Sequence, residues 1–312
     1  MNRFKAISAA LLLAIAGSAA AGEPAACRNV RFADVGWTDI AATTGMASVV
    51  LEALGYRPSV TMASVPIAFS GLKSRQIDVF LGYWSPSMTP LIAPYLKAGQ
   101  IKVLAEPNLS GAKYTLAVPD YVATAGLRDF KDIARFKAQL DGKIYGIEAG
   151  NDGNRLIDGM IRKQQYGLGG FKLVESSEAG MLAELERAER RKKWMVFLAW
   201  EPHPMNVRHK LRYLSGGDAV FGPNFGAARV FTALPPDYEA RCPNVGRLLR
   251  NLRFSTDMEN RVMGPIMDKV RPETAAREYL KQSPAVLTSW LEGVNTFDGR
   301  PGLSVVGQAL AR

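Results

Sequence analysis

The sequence predicts an α/β chain folded as a two-lobed clamshell, and three observations carry that expectation. Segments of strand and helix character alternate over residues 29–83 and again over 143–199, the grammar of parallel βαβ units. An apolar, strand-like stretch follows each array, at 114–119 and 225–233, placed to carry the chain across to a second lobe and back. Three tryptophans stand where a hydrophobic run gives way to a polar turn: Trp37 before Thr38 and Asp39, Trp84 before Ser85 and Pro86, Trp200 before Glu201 and Pro202. In open α/β sheets the carboxyl ends of strands are where ligands sit.

The elements follow in order. Residues 29–35 alternate around β-formers and read as the first strand; 40–54 carry apolar residues at helical spacing and end at Gly55. A short strand at 59–62 precedes a short helix at 66–72, which opens on Pro66, tolerated in a first turn because that N–H has no helical partner. Residues 77–83 form a buried strand. The second array reads as strand 143–148, a turn at Gly150-Asn151-Asp152-Gly153, helix 154–166, strand 171–175, a long helix 178–192 and strand 194–199. No sequence repeat links the arrays; only the order of elements recurs. The C-terminal third reads as helical, at 245–252, 256–270 and 272–293.

Residues 1–21 read as a secretory signal peptide, with Arg3 and Lys5 ahead of an apolar core at 6–16 and small residues at Ala19, Ala20 and Ala21. Cleavage is expected after Ala21, with Ala26 the alternative. No later run approaches the roughly 18 consecutive apolar residues of a membrane span, so the expectation is an exported, periplasmic chain. Its two cysteines, Cys27 and Cys242, are most simply paired in such a compartment. Two buried free thiols and a lipidated Cys27 are the other readings, the latter set against a poor lipobox at 24–27. A bridge would return the segment after the second array to the first. The domain plan is therefore lobe I at 22–117 and 215–312, discontinuous in sequence, and lobe II at 118–214, with two crossing strands as the hinge of a closing clamshell.

Composition narrows the function. Hydrophobic residues make up 47% and charged residues 22%, a globular balance. The formal charge of +10 falls to +8 once Arg3 and Lys5 leave with the signal (10 − 2). The densest basic run, 187–193, follows Glu184, Glu186 and Glu189 on a helical pattern and reads as a solvated helix C-terminus, where cations suit the dipole. No nucleic-acid motif accompanies it. No nucleophile elbow, Walker A loop or dinucleotide fingerprint occurs, so neither an enzyme nor a cofactor is expected. His203 with Glu201 makes too thin a set for a metal.

Three indoles at strand ends suggest an aromatic cage. A quaternary ammonium has no N–H, so no hydrogen bond can hold it; its charge is spread over greasy methyl groups. Aromatic faces answer both properties, at roughly 0.5–2 kcal/mol per ring depending on desolvation.

Gly36-Trp37-Thr38-Asp39, Phe80-Leu81-Gly82-Tyr83-Trp84, Lys113-Tyr114, the run 146–154 and Trp200-Glu201-Pro202-His203-Pro204 together resemble the type II periplasmic substrate-binding proteins of ABC transporters. Within them the similarity is to the quaternary-amine branch, which takes glycine betaine, proline betaine, carnitine and choline, and most closely to its choline-binding subgroup. The resemblance covers essentially the whole mature chain; Thr38 stands where the subgroup carries serine. It implies a box of Trp37, Trp84, Tyr114 and Trp200 around the trimethylammonium, Asp39 and Asn151 at the alcohol end of choline, and a disulfide at Cys27 and Cys242. It also implies a monomer that delivers its ligand to a permease and ATPase. Asp39 favours choline, because a carboxylate there would repel the carboxylate of a betaine. Blander readings stand beside these. Asp39 would serve as the N-cap of the helix at 40–54, Asn151 and Asp152 as turn residues, and each tryptophan as core. A helix N-terminus after Asn151 would equally receive a ligand carboxylate, and a hydrolase or transferase using the same cleft is the reading of a different class.

Overall fold

Strand β1 (Asn29–Asp34) and strand β2 (Arg57–Met62) run parallel, in register from Asn29 opposite Arg57 to Asp34 opposite Met62, with the Thr38–Ala53 helix as their crossover. The computed structural model describes residues 22–311; the signal peptide expected at 1–21 lies outside the described residues. The Val65–Lys73 helix leads on to β3 (Phe80–Ser85), which approaches β1 through a parallel bridge between Phe32 and Val79. The first array is thus the parallel βαβαβ unit that the alternation predicts.

The rest of the sheet is continuous. Strands β4 (Lys102–Val103), β5 (Leu109–Pro119), β6 (Lys143–Tyr145), β7 (Lys172–Val174), β8 (Phe197–Glu201), β9 (Leu211–Tyr213) and β10 (Ala227–Leu234) join β3 in the order β3-β10-β5-β8-β6-β7, with β4 on β10 and β9 on β5. In the second array β6 pairs in parallel with both β7 and β8, and the Asp152–Arg162 and Glu178–Arg191 helices make the crossovers. The two joining strands, β5 and β10, are antiparallel to each other.

Strand β5 changes partners at one residue. Its first half, Leu109 to Lys113, pairs with β10; from Lys113 to Ala117 it pairs with β8, and from Ala117 to Pro119 with β9. Lys113 therefore faces Ala227 on one side and Glu201 on the other, and its Nζ reaches Glu201 Oε2 at 3.1 Å.

The Thr38–Ala53 helix is buried almost all round. Its outer side is covered by the C-terminal Thr256–Met267 and Pro272–Gln282 helices, and a side chain at Gly45 would meet the Pro272 carbonyl at 2.9 Å. Near-complete burial explains why the helix has no polar stripe. A disulfide joins Cys27, just before β1, to Cys242, just before the Pro243–Asn251 helix, so the start of the described chain and its last third share one packing unit.

Element boundaries depart from the sequence reading where tertiary packing decides. Strands expected at 77–83 and 194–199 run instead over Phe80–Ser85 and Phe197–Glu201, so Trp84 and Trp200 lie inside their strands, each two residues ahead of a cis-linked proline, Pro86 or Pro202. The helix expected at 272–293 divides into Pro272–Gln282 and Val286–Trp290, because Pro284 offers no N–H to continue the ladder. The helix expected at 154–166 begins two residues earlier and stops at Arg162. The Thr89–Lys97 helix has Pro90 in its first turn and Pro94 inside, a pattern that hides it from periodicity.

Candidate functional site

Seven residues line one small pocket between the two arrays: Trp37, Asp39, Trp84, Tyr114, Ile147, Asp152 and Trp200. Trp84 and Trp200 lie near the ends of β3 and β8, Trp37, Asp39 and Asp152 at helix starts, Ile147 just after β6 and Tyr114 in the middle of β5. Gly36 turns the chain after β1 with φ +86°, a conformation costly to residues with a Cβ, and its N–H donates to Asp34 Oδ1 at 2.7 Å. That turn presents Trp37 as N-cap and places Thr38 and Asp39 in the first turn of the following helix. Trp84 lies opposite Val230 in the β3–β10 ladder. Tyr114 and Trp200 are directly opposed across β5 and β8, a pairing that puts both side chains on one face.

The rings form a walled enclosure. Trp84 and Tyr114 have centroids 5.8 Å apart with planes at 49°, and Tyr114 and Trp200 lie 6.5 Å apart at 65°. Trp37 is fixed separately, its Nε1–H donating to Glu148 Oε1 at 2.8 Å. All four rings are buried. The phenol of Tyr114 donates to Asn151 Oδ1 at 2.9 Å, and burial first, with Asp152 and Glu148 adding, holds it well above the ordinary tyrosine range. Gly153 makes this approach possible: a Cβ there would lie 2.3 Å from the Tyr114 hydroxyl.

Two carboxylates complete the lining. Asp39 is buried and its Oδ1 has no hydrogen-bond partner; burial, then repulsion from Glu178, pushes its pKa up to about 8. It sits one residue past the helix start, so Trp37 and not Asp39 holds the N-cap position. Asp152 is equally buried with Oδ2 unpartnered. Burial raises its pKa to about 6, opposed by the neighbouring Ser87 hydroxyl. Among the described residues no lysine or arginine lines the cavity. One donor is spare: Trp84 Nε1 is buried without a partner.

Of the six ligand residues expected from sequence, Trp37, Asp39, Trp84, Tyr114 and Trp200 share the cavity, whereas Asn151 stands behind it. Asn151 is the N-cap of the Asp152–Arg162 helix, its Oδ1 accepting from the Asn154 amide as well as from Tyr114. Its Nδ2 reaches Asp152 Oδ1 at 3.3 Å.

Sequence reasoning missed three participants. Asp152 passed as a turn residue. Glu148 and Glu178 carry no local signal, because their partners lie across the cleft. Glu178 Oε2 accepts from the Thr38 amide at 2.9 Å, and its Oε1 takes the Thr38 hydroxyl. His203 holds the same carboxylate, with Nε2 3.1 Å from Oε1 and Nδ1 accepting from the Met205 amide at 2.9 Å. Burial would raise Glu178, but the bonds from His203 and Thr38 prevail and hold it below the usual range. The His203 ring also stands 4.8 Å from Trp200, edge to face. Both of its nitrogens are engaged within the protein.

Comparison with known proteins gives four similarities. The family model described as the substrate binding domain of ABC-type glycine betaine transport system matches residues 28–282. A solved structure of an ABC-transporter choline binding protein in complex with choline is 55% identical over 92% of this chain and all of that one, with a TM-score of 0.91. An ABC-transporter choline binding protein in unliganded semi-closed conformation is 54% identical over the same shares, with a TM-score of 0.84. The present conformation is thus nearer to the choline-bound form. A protein of Chromohalobacter salexigens, called ORF1, is 55% identical over 130 residues, 42% of this chain and 83% of its own.

Proposed function

This chain belongs to the family of substrate-binding domains of ABC-type glycine betaine transport systems, and we propose that the ligand it captures is choline. The observation that carries this reading is the cavity lining: four aromatic rings and two carboxylates, with no basic side chain. Such a wall suits a ligand that is greasy and cationic at one end and an alcohol at the other. Trp37, Trp84, Tyr114 and Trp200 surround the trimethylammonium by apolar contact and quadrupole attraction. Asp39 Oδ1, buried and bare, accepts from the choline hydroxyl, and Asn151 acts at the alcohol end from behind the cavity, by fixing the Tyr114 phenol.

Lobe I, at 22–117 and 215–312, contributes Trp37, Asp39, Trp84 and, beside the hinge, Tyr114, whose ladder partner is Trp200; lobe II, at 118–214, contributes Ile147, Asp152 and Trp200. Only the closed arrangement assembles the whole wall, so choline shifts the population toward closure. In this reading the protein is a periplasmic monomer without a cofactor. It hands choline to a membrane permease driven by an ATPase, and it does no chemistry on the ligand.

One observation favours a second reading. The unpartnered Trp84 Nε1–H would suit a ligand carboxylate, as in glycine betaine, proline betaine or carnitine. Calorimetric titration with choline and these three zwitterions decides between them. Choline binding at least about tenfold tighter, some 1.4 kcal/mol, supports the first reading; a preferred zwitterion overturns it. Turnover of a choline ester by the purified protein would place a hydrolase in the cleft instead.

A further inference from the structure

The cavity holds one more carboxylate than the alcohol end of choline requires. Asp152 lines the cavity; its Oδ2 is buried without a partner, Oδ1 receives the 3.3 Å contact from Asn151, and the Ser87 hydroxyl and the amides of its own helix turn lie beside the carboxylate. A buried acceptor left bare costs about 1–3 kcal/mol, more when charged. An acid in the first turn of a helix is favourable by itself, but that role calls for neither a bare oxygen nor one turned into a cavity between the arrays.

We propose that Asp152 is a specificity-determining residue: its carboxylate supplies the second array's countercharge to the quaternary ammonium and repels any ligand that carries a carboxylate. Asp39 then takes the hydroxyl. The inference rests on the choline reading and assigns its selectivity.

The protonation of the two acids explains why the task falls to Asp152. Asp39 faces Glu178 and Asp34, and Glu259 from the Thr256–Met267 helix senses it in turn; with its pKa raised to about 8 it keeps its proton at neutral pH in the empty cleft. A protonated Asp39 would donate to a betaine carboxylate instead of repelling it. Asp152, which faces Glu148, Ser87 and the amides of its own helix turn, is raised only to about 6 and stays anionic. Of the two, Asp152 is the standing negative charge.

The test compares wild type, Asp152→Asn and Asp152→Ser at neutral pH, with choline, glycine betaine and 3,3-dimethylbutan-1-ol, the uncharged isostere of choline. Wild type should favour choline over the neutral alcohol. Both variants should lower the choline-to-betaine affinity ratio at least about tenfold and change affinity for the neutral alcohol less than about threefold, since only a charged ligand senses the lost charge. An unchanged ratio in a variant that melts cooperatively overturns the inference, as does an equal loss for choline and the neutral alcohol. Where neither variant folds, wild type decides: equal affinity for choline and its uncharged isostere rules out the countercharge. A wild type that binds no choline overturns the ligand assignment itself, whereas choline binding with an unmoved ratio removes only the role of Asp152.

Discussion

The indole Nε1 of Trp37 donates to Glu148 Oε1 at 2.8 Å, across 111 positions of sequence. The bond fastens a ring from the turn after β1 to the segment after β6, so a wall of the cavity is held in place by the opposite side of the cleft. A hydrogen bond to a charged acceptor contributes about 1.5–3 kcal/mol. Glu148→Ala should therefore weaken choline binding roughly tenfold, mostly through faster dissociation, because the bond exists only when the cleft is shut. Stopped-flow tryptophan fluorescence reads both rates; an unchanged off-rate would mean that Trp37 keeps its place without this acceptor.

Trp200 packs between Tyr114 and His203, at 6.5 and 4.8 Å. Trp200→Ala removes a ring contact of roughly 0.5–2 kcal/mol together with its apolar cover. Choline affinity should fall at least about tenfold. Calorimetry checks this, and equal affinity in the variant would take Trp200 out of the cage.

Asp39 makes choline binding depend on pH. Without ligand its pKa is pushed up to about 8 by burial; a bound cation favours the ionised carboxylate and lowers it. The complex then holds fewer protons than the free protein, so affinity should rise with pH up to about 8 and level off above it. Asp39→Asn should flatten that rise, and it should hurt choline more than betaine. Titrations in buffers of different ionisation enthalpy would count the released proton. In the free protein the sign is opposite for stability. The folded form holds a proton that the unfolded form has already lost between about pH 4 and 8, so stability from this group falls as pH rises through that window.

The Cys27–Cys242 disulfide closes a sequence separation of 215 residues. By the loop-entropy model such a closure is worth roughly 5 kcal/mol, an upper figure because residual unfolded structure reduces it. Cys242→Ser with Cys27→Ser should lower the melting temperature by several degrees and leave choline affinity within about threefold, since neither sulfur approaches the cavity. Differential scanning calorimetry with a parallel titration tests both halves of that expectation.

Local sequence exposed the three indoles of the site because each sits beside a chain-turning signal, Gly36 before Trp37, Pro86 after Trp84 and Pro202 after Trp200, whereas Tyr114, in the middle of β5, entered only through the family resemblance. The alternation of the arrays likewise made the parallel pairs legible. What stayed hidden depends on the two arrays meeting. Glu148 and Glu178 read as ordinary acids until Trp37 and Thr38 come to lie against them. Asp152 sits in a run of turn-formers, and only burial distinguishes a turn aspartate from one that lines a cavity. Asn151 illustrates the converse, since its Oδ1 is occupied by Tyr114 and the helix it caps. The strand ends shifted toward Trp84 and Trp200 because aromatic residues fit a pleated surface and the prolines, not the polar residues before them, stop the ladder.

The ladder that opposes Tyr114 to Trp200 has a mechanical meaning. From Lys113 to Ala117 strand β5 pairs with β8, so in the proposed clamshell these two rings move with Asp152, while Trp37, Trp84 and Asp39 form the facing half-shell. Each jaw thus carries two aromatic plates and one acid. Either can greet a methylated cation from solution, neither can retain it alone, and escape needs only that one jaw swing back.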